Sequence, residues 1–223
     1  RRINGLIAVS HELKNSPAFA SYRKPTSVIA NGVDLNNFEQ LPAPKNKIPR
    51  LVFIGNPGYP CHVVDKLLAL ASLIPDIQVD IVGYDQLMDF EPLPGNISLH
   101  GYLGMEGYRA VLAKADAAIS SIALHRVQLE EASPLKSREC LAFGLPLIIA
   151  YTDTDLGEAE YEFLLKIPNR EDNIQTHAHV IRDFLYHIRG RRALREKIFN
   201  LDLKRKEQDR VEFFVFFLRE VKI

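Results

Sequence analysis

The chain has 223 residues, enough for one large domain or for one domain with part of another. Its 47% hydrophobic and 25% charged residues are typical of a globular protein with a buried core, which excludes a disordered chain. Lys and Arg together number 28, as do Asp and Glu, and this balance excludes a broad basic surface for nucleic acid. Any charged ligand must therefore bind through local contacts.

Short apolar runs that end in Gly, Asn, Ser or Asp alternate with helical patterns along the chain. Such alternation is typical of a parallel sheet covered by helices on both faces, so we predict an α/β fold with a doubly wound, Rossmann-like sheet. The apolar runs are, in chain order, GLIAVS, SVIANG, RLVFIG, QVDIVG, ISLHG, AAISSI, LPLIIAYTD and FLLKI. The helical patterns span residues 63–74, 104–114, 134–143 and 176–188.

A proline-rich segment at residues 39–50, EQLPAPKNKIPR, interrupts this alternation and predicts a linker. The two strands and one helix before it are too few to bury their own core. We therefore expect them to be the end of an earlier domain, and the chain to be part of a longer protein. We divide it into residues 1–45 with the crossover, a main domain at 46–200, and a C-terminal helix at 201–223.

The C-terminal helix carries four phenylalanines that cannot share one helical face: Phe213, Phe214, Phe216 and Phe217. Two faces of this helix therefore need partners. We favour a helix packed between two layers of its own domain over one that docks on a missing domain or a partner.

The cysteines and the apolar stretches bear on the compartment. Cys61 and Cys140 are far apart and share no metal-type spacing with the histidines, so free thiols in a reducing compartment are predicted. The longest apolar stretches are much shorter than the roughly 20 residues that cross a bilayer. We predict a cytoplasmic protein, with peripheral binding at the inner face of the membrane as a further expectation.

The segment LEEASPLKSRECLAFGLPLI predicts a helix with clearly marked ends. Ser133 suits the N-cap, Pro134 suits N1, and Gly144 suits the residue after the C-terminus. Lys136 would then occupy N3, where repulsion by the helix dipole costs about 0.3–1 kcal/mol. An anion bound by the first-turn amides and the ammonium would offset that cost. The alternative is a solvated lysine paired with a nearby glutamate, namely Glu130, Glu131 or Glu139.

Two glutamates lie on either side of this predicted helix start. Glu131 precedes the helix and Glu139 lies in its second turn, with seven residues between them. Carboxylates placed beside an anion site suit hydroxyl groups on either side of the anion. A nucleotide sugar has that arrangement, because its diphosphate lies between a ribose and a second sugar.

These residues resemble the Glu-seven-Glu motif of retaining glycosyltransferases of the two-domain GT-B fold, the group 1 or family 4-like enzymes. The resemblance extends along the chain. IAVSHELK and VIANGVDLNNF resemble the end of the acceptor domain and the crossover, LVFIGNPGYP and VDIVG resemble donor-domain elements, and KEQDRVEFF resembles the returning C-terminal helix. It implies a C-terminal donor-binding domain from which most of the N-terminal acceptor domain is missing.

The resemblance also implies roles for individual residues. Glu139 would bind the ribose hydroxyls and Glu131 the donor-sugar hydroxyls, while Lys136 and the amides after Ser133 would bind the diphosphate. Enzymes of this group often carry an Arg and a Lys after the first donor-domain strand, but GNPGYPCHVVDK offers only a distant lysine. Diphosphate neutralisation is therefore assigned to Lys136 and Arg126.

Backbone groups complete the predicted site. Those near Gly101 and Tyr102 would meet the base, by the same resemblance. The turn at Gly55 and Asn56 is a place where a backbone can approach phosphate, with a plain tight turn as the alternative.

The implied activity is sugar transfer with retention from a UDP- or GDP-sugar to a glycan or lipid-linked acceptor, in bacterial polysaccharide or glycan biosynthesis. Lys136, Arg126 and Glu131 would be the catalytic residues of this hexosyltransferase, with no metal or cofactor required. The Asp153–Asp155 segment is interpreted as a loop rather than a metal site, and His125 as structural. The alternatives are a sugar-nucleotide epimerase of the same architecture and a non-catalytic nucleotide-sugar-binding module.

Overall fold

The computed structural model describes residues 3–58, 64–87, 90, 92–157 and 159–220, with side chains described up to residue 217. Cys61, predicted as a free thiol, lies outside the described residues. The elements are, in chain order, β1 (Leu6–Ala8), α1 (His11–Asn15), α2 (Pro17–Ala20), β2 (Thr26–Val28), β3 (Arg50–Ile54), α3 (Val64–Leu73), β4 (Gln78–Val82), β5 (Ile97–Leu99), α4 (Met105–Lys114), β6 (Ala117–Ile119), β7 (Glu131–Ala132), α5 (Leu135–Ala142), β8 (Leu147–Ile149), β9 (Thr152–Asp153), β10 (Leu164–Lys166), α6 (Asn173–Ile188) and α7 (Leu203–Glu220).

Within the described residues, the main sheet has six strands in the order β10-β8-β6-β3-β4-β5, and all neighbours are parallel. This confirms the predicted α/β fold with a parallel sheet. The chain enters at β3 in the middle, adds β4 and β5 on one side, and then crosses to β6, β8 and β10 on the other. The strand order therefore reverses between β3 and β6, and ligands of such sheets bind at the carboxyl ends of the strands at that point.

Successive residues of β3 face opposite sides of the sheet and join two separate cores. Leu51 and Phe53 pack with α3 and α6, while Val52 packs with α4 and α5. The predicted covering of both faces is therefore confirmed. Helix α6 begins three residues before the predicted start, at Asn173, because that buried side chain donates to the carbonyls of Ile122 and Pro168.

The segment before β3 is bound along the main domain. Strands β1 and β2 form a separate two-stranded parallel sheet, but Leu41 is buried in the core beside α5. The predicted linker joins the two sheets without being loose, because arginine side chains donate to carbonyls of residues 35–47; these arginines are Arg189, Arg192 and Arg195. The limits at residues 45 and 200 remain predictions.

The C-terminal helical region divides into a 3-10 helix, Arg195–Leu201, and α7. Phe213 and Phe217 pack over Gly5, where an added Cβ would lie 2.7 Å from the Phe217 ring. Phe214 and Phe216 are 57% and 56% exposed, so the prediction of a helix packed between two layers is wrong for that face. No helix among the described residues is both long and apolar enough to cross a membrane.

Candidate functional site

Helix α5 begins beside the switch point between β3 and β6, and its first residues differ from the predicted assignment. The N-cap is Pro134, which is extended at φ −69° and ψ 134°, so Lys136 occupies N2. The prediction of Ser133 as N-cap is wrong. Its buried hydroxyl accepts from the Asn31 amide at 2.8 Å and from Arg138 Nη2 at 3.1 Å, and it is thereby drawn away from the helix end.

The first turn of α5 has no side-chain cap, since the side chain of Pro134 has no hydrogen-bond acceptor. The positive end of the helix dipole and its amides therefore point toward the carboxyl edge of the sheet. Gly144 follows the helix at φ +87°, a conformation that only glycine adopts without strain, as predicted.

A cavity of about 50 Å³ lies between β3, β6 and the start of α5. Its polar lining comes from Ser120, Ser121, Lys136 and Ser137, and Lys136 Nζ donates to the carbonyl of Ile54 at 3.4 Å. Ligand pockets usually measure about 300–1,000 Å³. Only one end of a larger ligand, such as a phosphate group, can therefore enter this cavity, and the rest would lie along the sheet edge.

Three hydroxyl groups form a closed triangle behind the cavity. Ser120 Oγ lies 2.8 Å from Ser137 Oγ, which lies 2.9 Å from the Tyr151 hydroxyl, which in turn lies 3.2 Å from Ser120 Oγ. Ser137 and Tyr151 are each only 1% exposed. The triangle therefore fixes Ser120 at the cavity wall and joins α5 to the ends of β6 and β8.

Glu139 is half-buried in α5 and is hydrogen-bonded to Tyr108 of α4. Burial raises the pKa of Glu139, although the Tyr108 hydroxyl and the charge of Lys136 oppose that effect. Burial also raises the pKa of Tyr108, so its hydroxyl stays protonated and donates to Glu139. No local sequence pattern predicted this contact between two helices.

Glu131 lies in β7 and contacts the N-terminus of α1. Its Oε1 is 3.0 Å from His11 Nδ1 and its Oε2 accepts from the Glu12 amide at 2.8 Å. Glu12 Oε2 in return accepts from the amides of Glu130 and Glu131 at 2.9 and 2.8 Å. Burial would raise the pKa of Glu131, but the hydrogen bonds from His11 and Glu12 outweigh it and lower the pKa. Donor-sugar binding by Glu131 remains a prediction.

Arg126 lies on the 3-10 helix Leu124–Val127 after β6 and is bound by two carboxylates. It donates to Asp65 at 2.8 and 3.2 Å and to Glu171 at 2.9 Å. These hydrogen bonds, with Glu171 the larger cause, raise the pKa of Arg126. Arg126 is not among the residues that line the cavity at α5, so its role as a diphosphate-neutralising cation remains a prediction. His125 bonds Glu171 and Asn169, in agreement with a structural role.

Lys66, the first lysine after the turn that follows β3, is also bound by the protein itself. It is 3% exposed and donates to the carbonyl of Arg170 at 2.8 Å and to Asn173 Oδ1 at 2.9 Å. Burial lowers its pKa. Of the described cations in this neighbourhood, Lys136 is the one that lines the cavity.

The predicted backbone residues lie at the carboxyl edge of the sheet, where the chain runs unusually close to itself. Gly83 donates to the carbonyl of Gly101 at 2.7 Å, and a Cβ on Gly83 would lie 2.0 Å from the carbonyl oxygen of Gly55. Gly83 and Gly101 have φ of +94° and +58°. This edge also carries the turn residue Asn56 and the 69% exposed Tyr102. Base and phosphate contacts by these groups remain predictions.

Arg138 was not predicted as a site residue, although it is fully buried in α5. It binds Asp153 and Asp155, and Asp155 also binds Lys206 of α7. The two aspartates of the Asp-Thr-Asp motif therefore neutralise buried cations. One signal was present, since Arg138 lies three and four residues before Leu141 and Ala142 and so shares their buried face.

A larger cavity of about 460 Å³ lies at the opposite, amino-terminal edge of the sheet. Tyr161 and Phe163 line it, with Arg192 and two exposed glutamates. Arg192 already donates to backbone carbonyls of residues 41, 42, 113 and 115. We place the candidate site at α5 despite its smaller volume, because uncapped amides and a cation meet there at the switch point.

Known proteins with a similar fold are found among solved structures. Neither protein-family models nor curated proteins match the sequence. Solved structures do match: sucrose-phosphate synthase from Thermosynechococcus elongatus is 17% identical with a TM-score of 0.63, over 98% of this chain and 59% of that one. TarM is 17% identical with a TM-score of 0.65, over 96% of this chain and 43% of that one. Anabaena HepE in complex with UDP is 15% identical with a TM-score of 0.64, over 95% of this chain and 64% of that one.

The chain thus has a Rossmann-like domain of the GT-B type, as the sequence motif predicted. It spans about 59% of the length of the sucrose-phosphate synthase and 43% of that of TarM.

Proposed function

We propose that the chain is the donor-binding part of a glycosyltransferase that takes a sugar from a nucleotide diphosphate. The observation that carries this proposal is the uncapped start of α5 beside the switch point, with Lys136 in the cavity lining. Helix amides, the helix dipole and an ammonium group together favour a diphosphate. Structures of the same fold that contain UDP or UDP-glucose, both of HepE, support the proposal.

In this proposal Lys136 and the first-turn amides of α5 bind the diphosphate, Glu139 binds the ribose, and Glu131 binds the transferred sugar. Negative charge develops on the diphosphate as its bond to the sugar breaks, and groups already aimed at that charge lower the barrier. Burial raises the pKa of Glu139, and the hydrogen bond from Tyr108 and the charge of Lys136 oppose that rise.

We extend the proposal to the whole protein by resemblance. It would be a retaining hexosyltransferase that needs no metal and acts in bacterial polysaccharide or glycan biosynthesis. The missing N-terminal domain would bind a glycan or lipid-linked acceptor. Such a protein would work in the cytoplasm, with peripheral contact at the inner face of the membrane.

Calorimetric titration with UDP, GDP and ADP tests the proposal. One nucleotide should bind, and Lys136→Ala should weaken it about 10-fold or more, since hydrogen bonds to charged groups contribute about 1.5–3 kcal/mol. Glu139→Ala should weaken it by a similar factor. Lys114→Ala and Glu106→Ala, which remove the same groups from exposed positions on α4, should leave affinity unchanged. Failure of the folded wild-type chain to bind any of the three would contradict the proposal.

A further inference from the structure

Helix α5 carries Lys136 and Glu139, and a buried charged cluster centred on Arg138 connects it to other parts of the chain. The Arg138 guanidinium has no exposure and donates to both carboxylate oxygens of Asp153, one of them at 2.9 Å. It also donates to Asp155 Oδ2 at 3.2 Å. The loop after β9 is thereby fixed against the side of α5.

The same guanidinium contacts the segment that follows β2. Arg138 Nε donates to the carbonyl of Asn31 at 3.1 Å, and Nη2 donates to Ser133 Oγ. Asn31 completes the connection, because its side-chain amide donates to the Ser133 carbonyl at 2.7 Å. Residues 31 and 133 are therefore both bound to Arg138, and Ser133 lies just before the start of α5.

Asp155 extends the cluster to α7. Its Oδ1 accepts from Lys206, whose side chain is 9% exposed. Helix α7 also lies against Gly32, where an added Cβ would be 2.9 Å from both Leu203 Cα and Lys206 Cγ. Residue 31 and α7 are two of the places where the N-terminal segment meets the main domain. The first is bound by Arg138 directly, and the second is bound through Asp155.

We propose that Arg138 is a positioning residue, which sets the orientation of α5, and so of Lys136 and Glu139, relative to residue 31 and α7. The cluster contains two cations and two carboxylates, so its charges cancel. Apolar residues in their place could stabilise the fold to a similar extent. Directional hydrogen bonds from a planar guanidinium instead select one orientation of the helix. The consequence for ligand affinity rests on the proposed nucleotide site.

Lys206→Met tests this proposal, with Lys204→Met as the matched control on the same helix, because Lys204 is exposed. In the ligand-free protein, amides of residues 138–142 should exchange hydrogen at least about five-fold faster in Lys206→Met, while those of β4 keep their wild-type rates. The control should match the wild type. Lys206→Arg, which keeps the cation, should restore slow exchange in α5.

Calorimetry adds the functional readout. The nucleotide that binds the wild type should bind Lys206→Met about 5–10-fold more weakly and Lys204→Met equally well. A purely structural cluster would give a different pattern: exchange raised equally in α5 and β4, and unchanged affinity. That pattern would overturn the proposal. If the wild type binds no nucleotide, the proposed function fails, while the exchange rates still decide whether the cluster around Arg138 positions α5.

Discussion

Arg138 and Arg126 each bind two carboxylates, yet they differ in exposure. The Arg138 side chain is 0% exposed and its partners are 1% and 11% exposed, whereas Arg126 is 27% exposed and its partners are 43% and 64% exposed. Water screens the Arg126 pairs, so they contribute little to stability. A lost partner of Arg138 would leave an uncompensated buried charge. Two arginines with equal numbers of ion pairs can therefore differ greatly in how much the loss of one pair lowers stability.

The surroundings of Arg126 and Arg138 also affect whether either side chain can bind a ligand. A diphosphate at Arg126 would compete with Asp65 and Glu171, which already bind that guanidinium. Arg138 is enclosed and cannot reach a ligand at all. Lys136 lines the cavity, and for this reason we assign it the diphosphate contact.

The largest expected effect comes from removing one carboxylate of each pair. Asp153→Ala should lower the free energy of unfolding by about 3–5 kcal/mol, because the buried guanidinium loses its main partner. Glu171→Ala should lower it by about 1 kcal/mol or less. Urea denaturation of both variants measures the difference. Equal losses would remove the distinction between the two clusters.

Replacement of each arginine by lysine tests geometry at constant charge. Arg138→Lys should cost about 2–3 kcal/mol, since lysine cannot reproduce the planar fork that reaches Asp153, Asn31 and Ser133 together. Arg126→Lys should cost about 0.5 kcal/mol or less. Thermal unfolding of the two variants gives the comparison, and a larger loss at Arg126 would reverse our ranking.

A smaller effect depends on pH. Hydrogen bonds from Arg126, and next from His125, lower the pKa of Glu171 from 4.5 to about 2. Because the folded-state pKa is the lower one, this stabilisation is present above pH 4.5 and is lost as the pH falls toward 2. The unfolding free energies of wild type and Glu171→Gln should differ by about 1 kcal/mol or less at pH 6, and by less at pH 3.5. A difference that grows on acidification would contradict this.

The smallest effect should come from salt. At 1 M NaCl the Debye length is about 3 Å, so the exposed pairs of Arg126 are screened while the enclosed pairs of Arg138 are not. The stability difference between wild type and Glu171→Gln should fall by a few tenths of a kcal/mol between 0.05 and 1 M NaCl. The corresponding difference for Asp153→Asn should stay constant over the same range.

Much of the fold could be predicted because a strand buried on both faces is a continuous apolar run. Seven of the eight such runs contain a whole strand of the structure, and SVIANG contains most of β2. Strands β7 and β9 were not predicted as separate strands, because each has only two residues and no periodicity can be recognised in so short a segment. The order of strands was not predictable from pattern, because it depends on which strands pair across the sheet.

The site was less predictable because its contacts join distant residues. Ser133 has a hydroxyl that could cap the helix. That hydroxyl instead accepts from the backbone amide of Asn31, 102 residues earlier. Glu131 likewise bonds His11 across 120 residues. The position of Lys136 at the start of α5 was correctly anticipated to within one residue, because proline and glycine mark the ends of that helix locally.

The most direct test of the nucleotide site is a ¹⁵N–¹H NMR titration of this chain with whichever of UDP, GDP and ADP binds in calorimetry. Our account predicts that the largest shift changes fall on the amides of Leu135, Lys136 and Ser137, and that Lys136→Ala reduces them at equal nucleotide concentration. Shift changes confined to Tyr161, Phe163 and Ala193, around the larger cavity at the other edge of the sheet, would contradict it.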